Sequence, residues 1–260
     1  MIDAGVVLVG GAVAERASRL VSPAEPVTVT GSRGRFVGRG GDKLDAGLDR
    51  FAIDVRGVRA LDAGASTGGF TDCLLQRGTT RVVAVDVGRG QLHERLRHDS
   101  RVVALERTNI RTARLDELGG EPFDIVVADL SFISLRAVAA QLVSWTRPGG
   151  DVVVLVKPQF EAGRREVSKG RGVIREPEVW RLALRGAIAA LGAAGATMMG
   201  VMVSPLRGAD GNVEFLSHLS VVSSDAGPGD PAGMIDQVVT EASTGPAGGV
   251  ERGPTRTTEG

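Results

Sequence analysis

The chain has 260 residues and no formal net charge, with 42% of its residues hydrophobic and 24% charged. That is enough for one large domain, or for a domain with an appendage. A single cysteine excludes an intramolecular disulfide framework and a cysteine-cluster metal site, and no apolar run approaches the roughly 18 residues that span a bilayer.

Aromatic residues make up 3%, with no tyrosine, so a recognition surface resting mainly on stacking is not expected. Glycine, at 37 residues, is about twice its usual share of roughly 7%, which points to tight turns or to backbone pressed against a ligand. The neutral total hides an asymmetry. Residues 223–260 hold six acids and two arginines, so the remaining body carries a compensating +4 and leans toward an anionic partner. Met1 to Gly5 lacks the charged-then-apolar pattern of a secretory signal, and a soluble cytoplasmic protein is expected. Only three lysines, Lys43, Lys157 and Lys169, stand beside 28 arginines. A desolvated lysine can give up its proton and an arginine cannot, so these three are singled out.

In chain order, residues 1–30 read as small β structure, with strands at Val6–Val9 and Val27–Thr30, too little to fold alone. Residues 31–41 form a basic Gly/Arg linker carrying Arg33, Arg35 and Arg39. Asp42 is a plausible N-cap for a helix over Lys43–Phe51. From Val58 onward strands alternate with helices. Strands are expected at Arg59–Ala63, Arg81–Asp86, Val102–Leu105, Asp124–Asp129, Asp151–Lys157, Thr197–Val203 and Val213–Leu219. Helices are expected at Phe70–Arg77, Leu92–Arg97, Thr112–Leu118, Leu135–Trp145 and Pro177–Leu191. The apolar strand runs suit an α/β, doubly wound, mostly parallel sheet buried on both faces. No helix separates the last two strands, so they should form an antiparallel hairpin. The main domain then spans 42–222. Residues 223–260, with eight glycines and four prolines, read as a disordered acidic tail.

The first strand runs into LDAGASTGGF, residues 61–70. Gly64, Gly68 and Gly69 would let backbone approach a ligand at the carboxyl end of the strand, with Asp62 placed to meet a cation or an amine. Asp86 ends the second strand, where an acid commonly accepts hydrogen bonds from the hydroxyls of an adenosine ribose. The loop departs from the dinucleotide pattern at its middle glycine and lacks the P-loop lysine. It does match the G-x-S-x-G nucleophile elbow at Gly64–Gly68, but His93, His98 and His218 are poorly placed for a triad. The pattern D-x-G-x-x-x-G-G with an acid after the second strand also suits an S-adenosylmethionine loop.

Strand four ends in Asp129-Leu130-Ser131-Phe132, strand five in Lys157-Pro158-Gln159-Phe160, and the last strand begins near Glu214. In a doubly wound sheet these ends share one edge, so Asp129, Lys157 and Glu214 can converge. Such a cluster is either a buried ion-pair network or a lysine tuned as a base. DLSF replaces the [DN]-P-P-[FYW] of amino-group methylation, and Cys73, on the first helix, is misplaced for pyrimidine carbon methylation. A hydroxyl acceptor deprotonated by lysine remains.

GRGGDKL, LDAGASTGGF, AVDVGRGQL, ADLSFISL, LVKPQFE and GNVEFL together resemble the TlyA group of FtsJ-like RNA ribose 2′-O-methyltransferases, also known as haemolysin A, in collinear order over about residues 1–220. The resemblance implies a seven-stranded Rossmann-like class I methyltransferase sheet preceded by a partial S4 RNA-binding segment, whose helical part is missing here. It implies S-adenosyl-L-methionine as donor, cytidines of ribosomal RNA in ribosomal subunits as acceptor, and neither DNA nor membrane as partner. It also implies a tetrad of Lys43, Asp129, Lys157 and Glu214, with Lys157 the base. Gly64, Ser66, Gly68, Gly69 and Phe70 would line the methionine side, Asp86 would hold the ribose, and Asn109 would meet the adenine edge or cap its own loop. Arg164, Arg165, Lys169 and Arg171 lie in a net-basic loop that could grip phosphates. Two other readings are a non-catalytic RNA-binding or assembly factor and a membrane-lytic protein.

Overall fold

The computed structural model describes residues 2, 7–14, 16, 18–22, 24–29, 34–163, 170, 172–221 and 230–244. The chain divides into two compact units, Met1–Arg35 and Phe36–Gly260. The first holds a small antiparallel sheet of strands β1 (Val7–Val9), β2 (Ala12–Val13) and β3 (Val27–Val29) in the order β2-β1-β3. Gly10 and Gly11, both at positive φ, make the β1–β2 turn.

The second unit begins at Phe36, inside the stretch read as a linker. Phe36 is buried in its core, and the Val37 N–H donates to Asp72 Oδ2 at 2.8 Å. Helix α1 spans Arg39–Arg50 with Gly38 as N-cap. It therefore starts ahead of the expected Asp42 cap, which sits in the first turn instead. Gly40 and Gly41 are poor helix formers, but a Cβ on Gly41 would fall 2.3 Å from the Phe36 ring. Close packing outweighs propensity there.

The remaining elements follow in order: β4 (Arg59–Ala63), α2 (Gly69–Gln76), β5 (Arg81–Val85), α3 (Glu94–Arg97), β6 (Val102–Leu105), β7 (Phe123–Ala128), α4 (Ala139–Ser144), β8 (Thr146–Val156), α5 (Pro158–Glu161), α6 (Pro177–Ala193), β9 (Ala196–Val203), β10 (Phe215–Val221) and α7 (Pro231–Thr244). Among the described residues they build a seven-stranded sheet in the order β6-β5-β4-β7-β8-β10-β9. The first five of these strands pair parallel, and β10 runs antiparallel to both β8 and β9. The terminal hairpin thus inserts its second strand between β8 and β9. Side chains alternate across the sheet. Leu61, Val126 and Val154 join the core under α4, α6 and α7, whereas Ala60, Val127 and Val153 join the core under α1 and α2. The chain leaves β4 in one direction to β5 and returns to its other side as β7. The carboxyl end of β4 is therefore the switch point where such sheets open a crevice.

Three expectations are corrected. The segment 112–118 is not helical: the Asn109 side chain caps the Arg111 N–H, Glu117 bonds the Arg114 N–H, and the segment breaks into turns ending at Gly119 and Gly120, both at positive φ. The fifth strand starts at Thr146 rather than Asp151, because Thr146 already pairs with Phe123. Part of the expected disordered tail is ordered. Helix α7 buries Ile235, Val238 and Val239, and its Asp236 pairs with Arg181 and Arg185 of α6. Its start carries a sequence signal, since Asp230 accepts from the Gly233 N–H at 3.0 Å and Pro231 opens the first turn. The rest of that tail, 223–229 and 245–260, lies outside the described residues.

Candidate active site

A cleft of about 460 Å³ opens at the switch point. Gly64, Ser66, Asp86, Val87, Asn109 and Asp129 are among its walls. A smaller recess of about 160 Å³ adjoins it, lined by Gly40, Phe70, Ser131 and Lys157 among others. Gly64, Ser66, Asp129 and Ser131 border both.

The loop after β4 owes its glycines to two different constraints. Gly64 has φ +85°, and a Cβ there would lie 2.8 Å from the Asp129 carbonyl oxygen. Any other residue would push the β4 and β7 ends apart. Gly68 has φ +97°, and its missing Cβ makes room for Leu96 and Leu92. Packing against Leu96 of α3 and Leu92 ahead of it by itself requires a glycine there. Gly69 lies against Gly40 and Gly41 of α1 and borders the recess, as does the largely buried Phe70.

Asp86 accepts from the Ser66 N–H at 2.8 Å and the Gly88 N–H at 2.7 Å. It ties the glycine loop to the loop after β5 while still facing the cleft. Asn109 borders the cleft too, and its Oδ1 caps the Arg111 N–H, so it holds its own loop. Asp62 lies behind the cleft wall. It is fully buried and takes the Thr71 hydroxyl on Oδ2 at 2.6 Å, leaving Oδ1 with no hydrogen-bond partner. Burial pushes its carboxyl up to about 7, with the negative charges of Asp129 and Asp86 adding to the shift.

A folded-state value above the unfolded one of about 3.9 means that the native protein binds more protons between those two limits. Stability therefore falls as pH rises from about 4 to 7. Asp62→Asn should flatten this decline, as checked by urea denaturation at pH 5 and pH 8. An equal decline in both proteins would refute the assignment.

The tetrad positions resolve into two ion pairs. Lys43 Nζ, on α1, donates to Glu214 Oε2 at 2.5 Å, and both side chains are buried. Lys157 Nζ lies 2.6 Å from Asp129 Oδ1 and donates to Ser131 Oγ at 3.0 Å. Phe215 is opposite Val156 in the antiparallel ladder, so the next step along both chains sets Glu214 beside Lys157. Sheet register thus gathers residues far apart in sequence.

Two residues on the motif ends passed unread. Ser131 touches Lys157. Phe132 is 92% exposed, has φ +65°, borders the cleft and packs against Phe160 with ring centroids 5.2 Å apart. The available signal was position, two and three residues after a strand-ending acid. Of the candidate RNA-binding residues, Arg39 is exposed at the start of α1 and Arg35 is exposed at the end of the first unit. Arg33, Arg164, Arg165, Lys169 and Arg171 lie outside the described residues.

Residues 36–221 match the family described as FtsJ-like methyltransferase. The chain belongs to the FtsJ-like methyltransferase family. It is 44% identical to the 16S/23S rRNA (cytidine-2′-O)-methyltransferase TlyA of Mycobacterium tuberculosis, over 95% of this chain and 91% of that one. It is 37% identical to Hemolysin A of Brachyspira hyodysenteriae, over 85% of this chain and 91% of that one. The solved structure of a Streptococcus thermophilus protein described as a hemolysin superposes with a TM-score of 0.80 at 37% identity, covering 93% of this chain and 87% of that one. This methyltransferase takes its methyl group from S-adenosylmethionine. The site fits that donor. The cleft adjoins the recess that holds Lys157, Gly64 keeps the cleft floor low, and the partnerless oxygen of Asp62 suits an ammonium group. No described helix is long and apolar enough to cross a membrane.

Proposed function

We propose that this methyltransferase modifies the ribose 2′-hydroxyl of cytidine in ribosomal RNA, with Lys157 as the base. One observation carries the reading: a buried lysine, paired with Asp129, opens onto a recess that shares four of its walls, Asp129 and Ser131 among them, with the cofactor cleft. The activity named for the Mycobacterium tuberculosis relative supports the choice of acceptor.

Gly64, Ser66 and Asp86 would hold the donor, with Asn109 beside its far end and Asp62 beneath. When bound, S-adenosylmethionine supplies a methyl group already activated by its sulfonium. The protein then mainly aligns the partners and moves one proton. Lys157, once its Nζ has released a proton to solvent, would take the 2′-hydroxyl proton and free the ribose oxygen to accept the methyl group as the sulfur–methyl bond breaks. Asp129 steadies the ammonium that results. Lys43 and Glu214 hold each other in the buried layer beside Lys157 and would help to position the ribose. Phe132 offers an exposed face on which an RNA base can stack, a contact that tolerates any base. Residues 1–35, Arg39 and the basic loop at 164–171 would grip phosphates.

The experiment is transfer of radiolabelled methyl groups from S-adenosylmethionine to purified ribosomal subunits, followed by alkaline hydrolysis of the RNA. Label in alkali-resistant dinucleotides that begin with cytidine is the expected result. Label released as a methylated base would overturn the ribose assignment.

A further inference from the structure

The nitrogen of Lys157 meets two oxygens of a single short loop, one as an ion pair and one as a hydrogen-bond acceptor. Asp129 Oδ1 is 2.6 Å away and Ser131 Oγ 3.0 Å away. The lysine side chain is 10% exposed, so little water competes for its hydrogens. The loop is held at its far end as well. Glu161, buried just beyond Lys157, accepts from the Leu135 N–H at 2.6 Å and from the Ser134 hydroxyl at 2.5 Å. The stretch from Asp129 to Leu135 is therefore fastened to the β8 end both before and after Ser131.

We propose that Ser131 is a positioning residue that aims the lone pair of Lys157 at the acceptor hydroxyl. The inference rests on Lys157 acting as the base. A neutral amine has two N–H bonds and one lone pair in a tetrahedral arrangement. Asp129 Oδ1, in ion-pair contact at 2.6 Å, draws one N–H toward its charge. With no second acceptor, the remaining hydrogen and the lone pair can exchange places, and the amine is free to donate to the ribose oxygen instead of accepting its proton. Ser131 takes the second N–H, and the lone pair is left with the third direction. Ser131 also borders both the recess and the cleft, so the space it constrains is where acceptor and donor meet. Once the proton has moved, the ammonium keeps both acceptors and turns its new N–H toward the methylated product.

The test compares Ser131→Ala and Ser131→Thr with the parent, using purified ribosomal subunits and S-adenosylmethionine. The readouts are kcat, KM for the subunits, affinity for S-adenosylhomocysteine, and Tm. Misaimed reacting groups cost up to about 100-fold, so Ser131→Ala should lower kcat by about 10- to 100-fold. KM, cofactor affinity and Tm should stay near parental values, and Ser131→Thr, which keeps the hydroxyl, should recover most of the rate. Full activity in Ser131→Ala, or equal losses in the alanine and threonine variants, would overturn the proposal. Lys157→Ala run in parallel separates the two ideas. If it is inactive while Ser131→Ala is unimpaired, only the role of Ser131 fails; if it is fully active, the base assignment itself fails.

Discussion

Lys157→Ala should reduce methyl transfer by about 100- to 10,000-fold, the usual contribution of a positioned general base, while S-adenosylhomocysteine still binds. The loss falls on chemistry because Lys157 faces the recess and is not among the walls of the larger cleft. Asp129, its ion-pair partner, is 23% exposed, so water can solvate the orphaned carboxylate and the fold should survive. Lys157→Arg sharpens the test. Arginine keeps the positive charge and the pairing with Asp129 but does not lose its proton in a protein, so it should be nearly as inactive as alanine. Single-turnover transfer to ribosomal subunits measures both variants. An arginine variant with much of the parental rate would mean that the lysine acts through its charge and that another group removes the proton.

The second large effect concerns stability. Lys43 and Glu214 are 7% and 3% exposed and pair at 2.5 Å. Gly208 leaves space for the acid, since a Cβ there would lie 2.1 Å from Glu214 Oε1. Removing one partner strands the other charge in a dry site, at a cost of about 3–5 kcal/mol. For a protein of this size each kcal/mol corresponds to about 2–4 °C, so Glu214→Ala should lower Tm by roughly 6–20 °C. Replacing both residues, as Lys43→Met with Glu214→Leu, should recover most of that loss because no unpaired charge remains. Methyl transfer should not return. Thermal unfolding of the two variants beside the parent checks the first part, and transfer assays check the second. If the double variant is as unstable as the single one, packing rather than charge dominates at this position.

Much of the site could be read from the chain alone because its residues stand at strand ends. Asp129, Lys157 and Glu214 each follow or precede a run of valine, leucine or phenylalanine, and a parallel sheet delivers such ends to one edge whatever the loops do. Ser131 and Phe132 carry no such signal although they stand two and three residues after Asp129. Their importance depends on loop conformation, here a non-glycine residue at positive φ and the fastening by Glu161, neither of which has a periodic signature. Glycines were legible as glycines but not by purpose. Gly68 and Gly64 look alike in LDAGASTGGF, yet one clears Leu92 and Leu96 and the other clears the Asp129 carbonyl.

Helix α7 shows how averaging conceals structure. Over residues 223–260 the glycines and prolines dominate, and the composition reads as a chain unable to bury enough surface. Within Pro231–Thr244, however, Ile235, Val238 and Val239 fall on one helical face. Asp236, set among them in sequence, meets two arginines of α6.

The sequence by itself determined the alternation of strands and helices, the crevice at the end of β4 and the identity of the charged residues at its rim. These follow from local hydrophobic period and from where strands must stop. Only the tertiary structure decided which charges pair. The four tetrad residues form two separate ion pairs, Lys43 with Glu214 and Lys157 with Asp129. The partition depends on strand β10 entering between β8 and β9 and on α1 packing close through its glycines. Pairing is a matter of distances between elements distant in the chain, and such distances are set by packing and register.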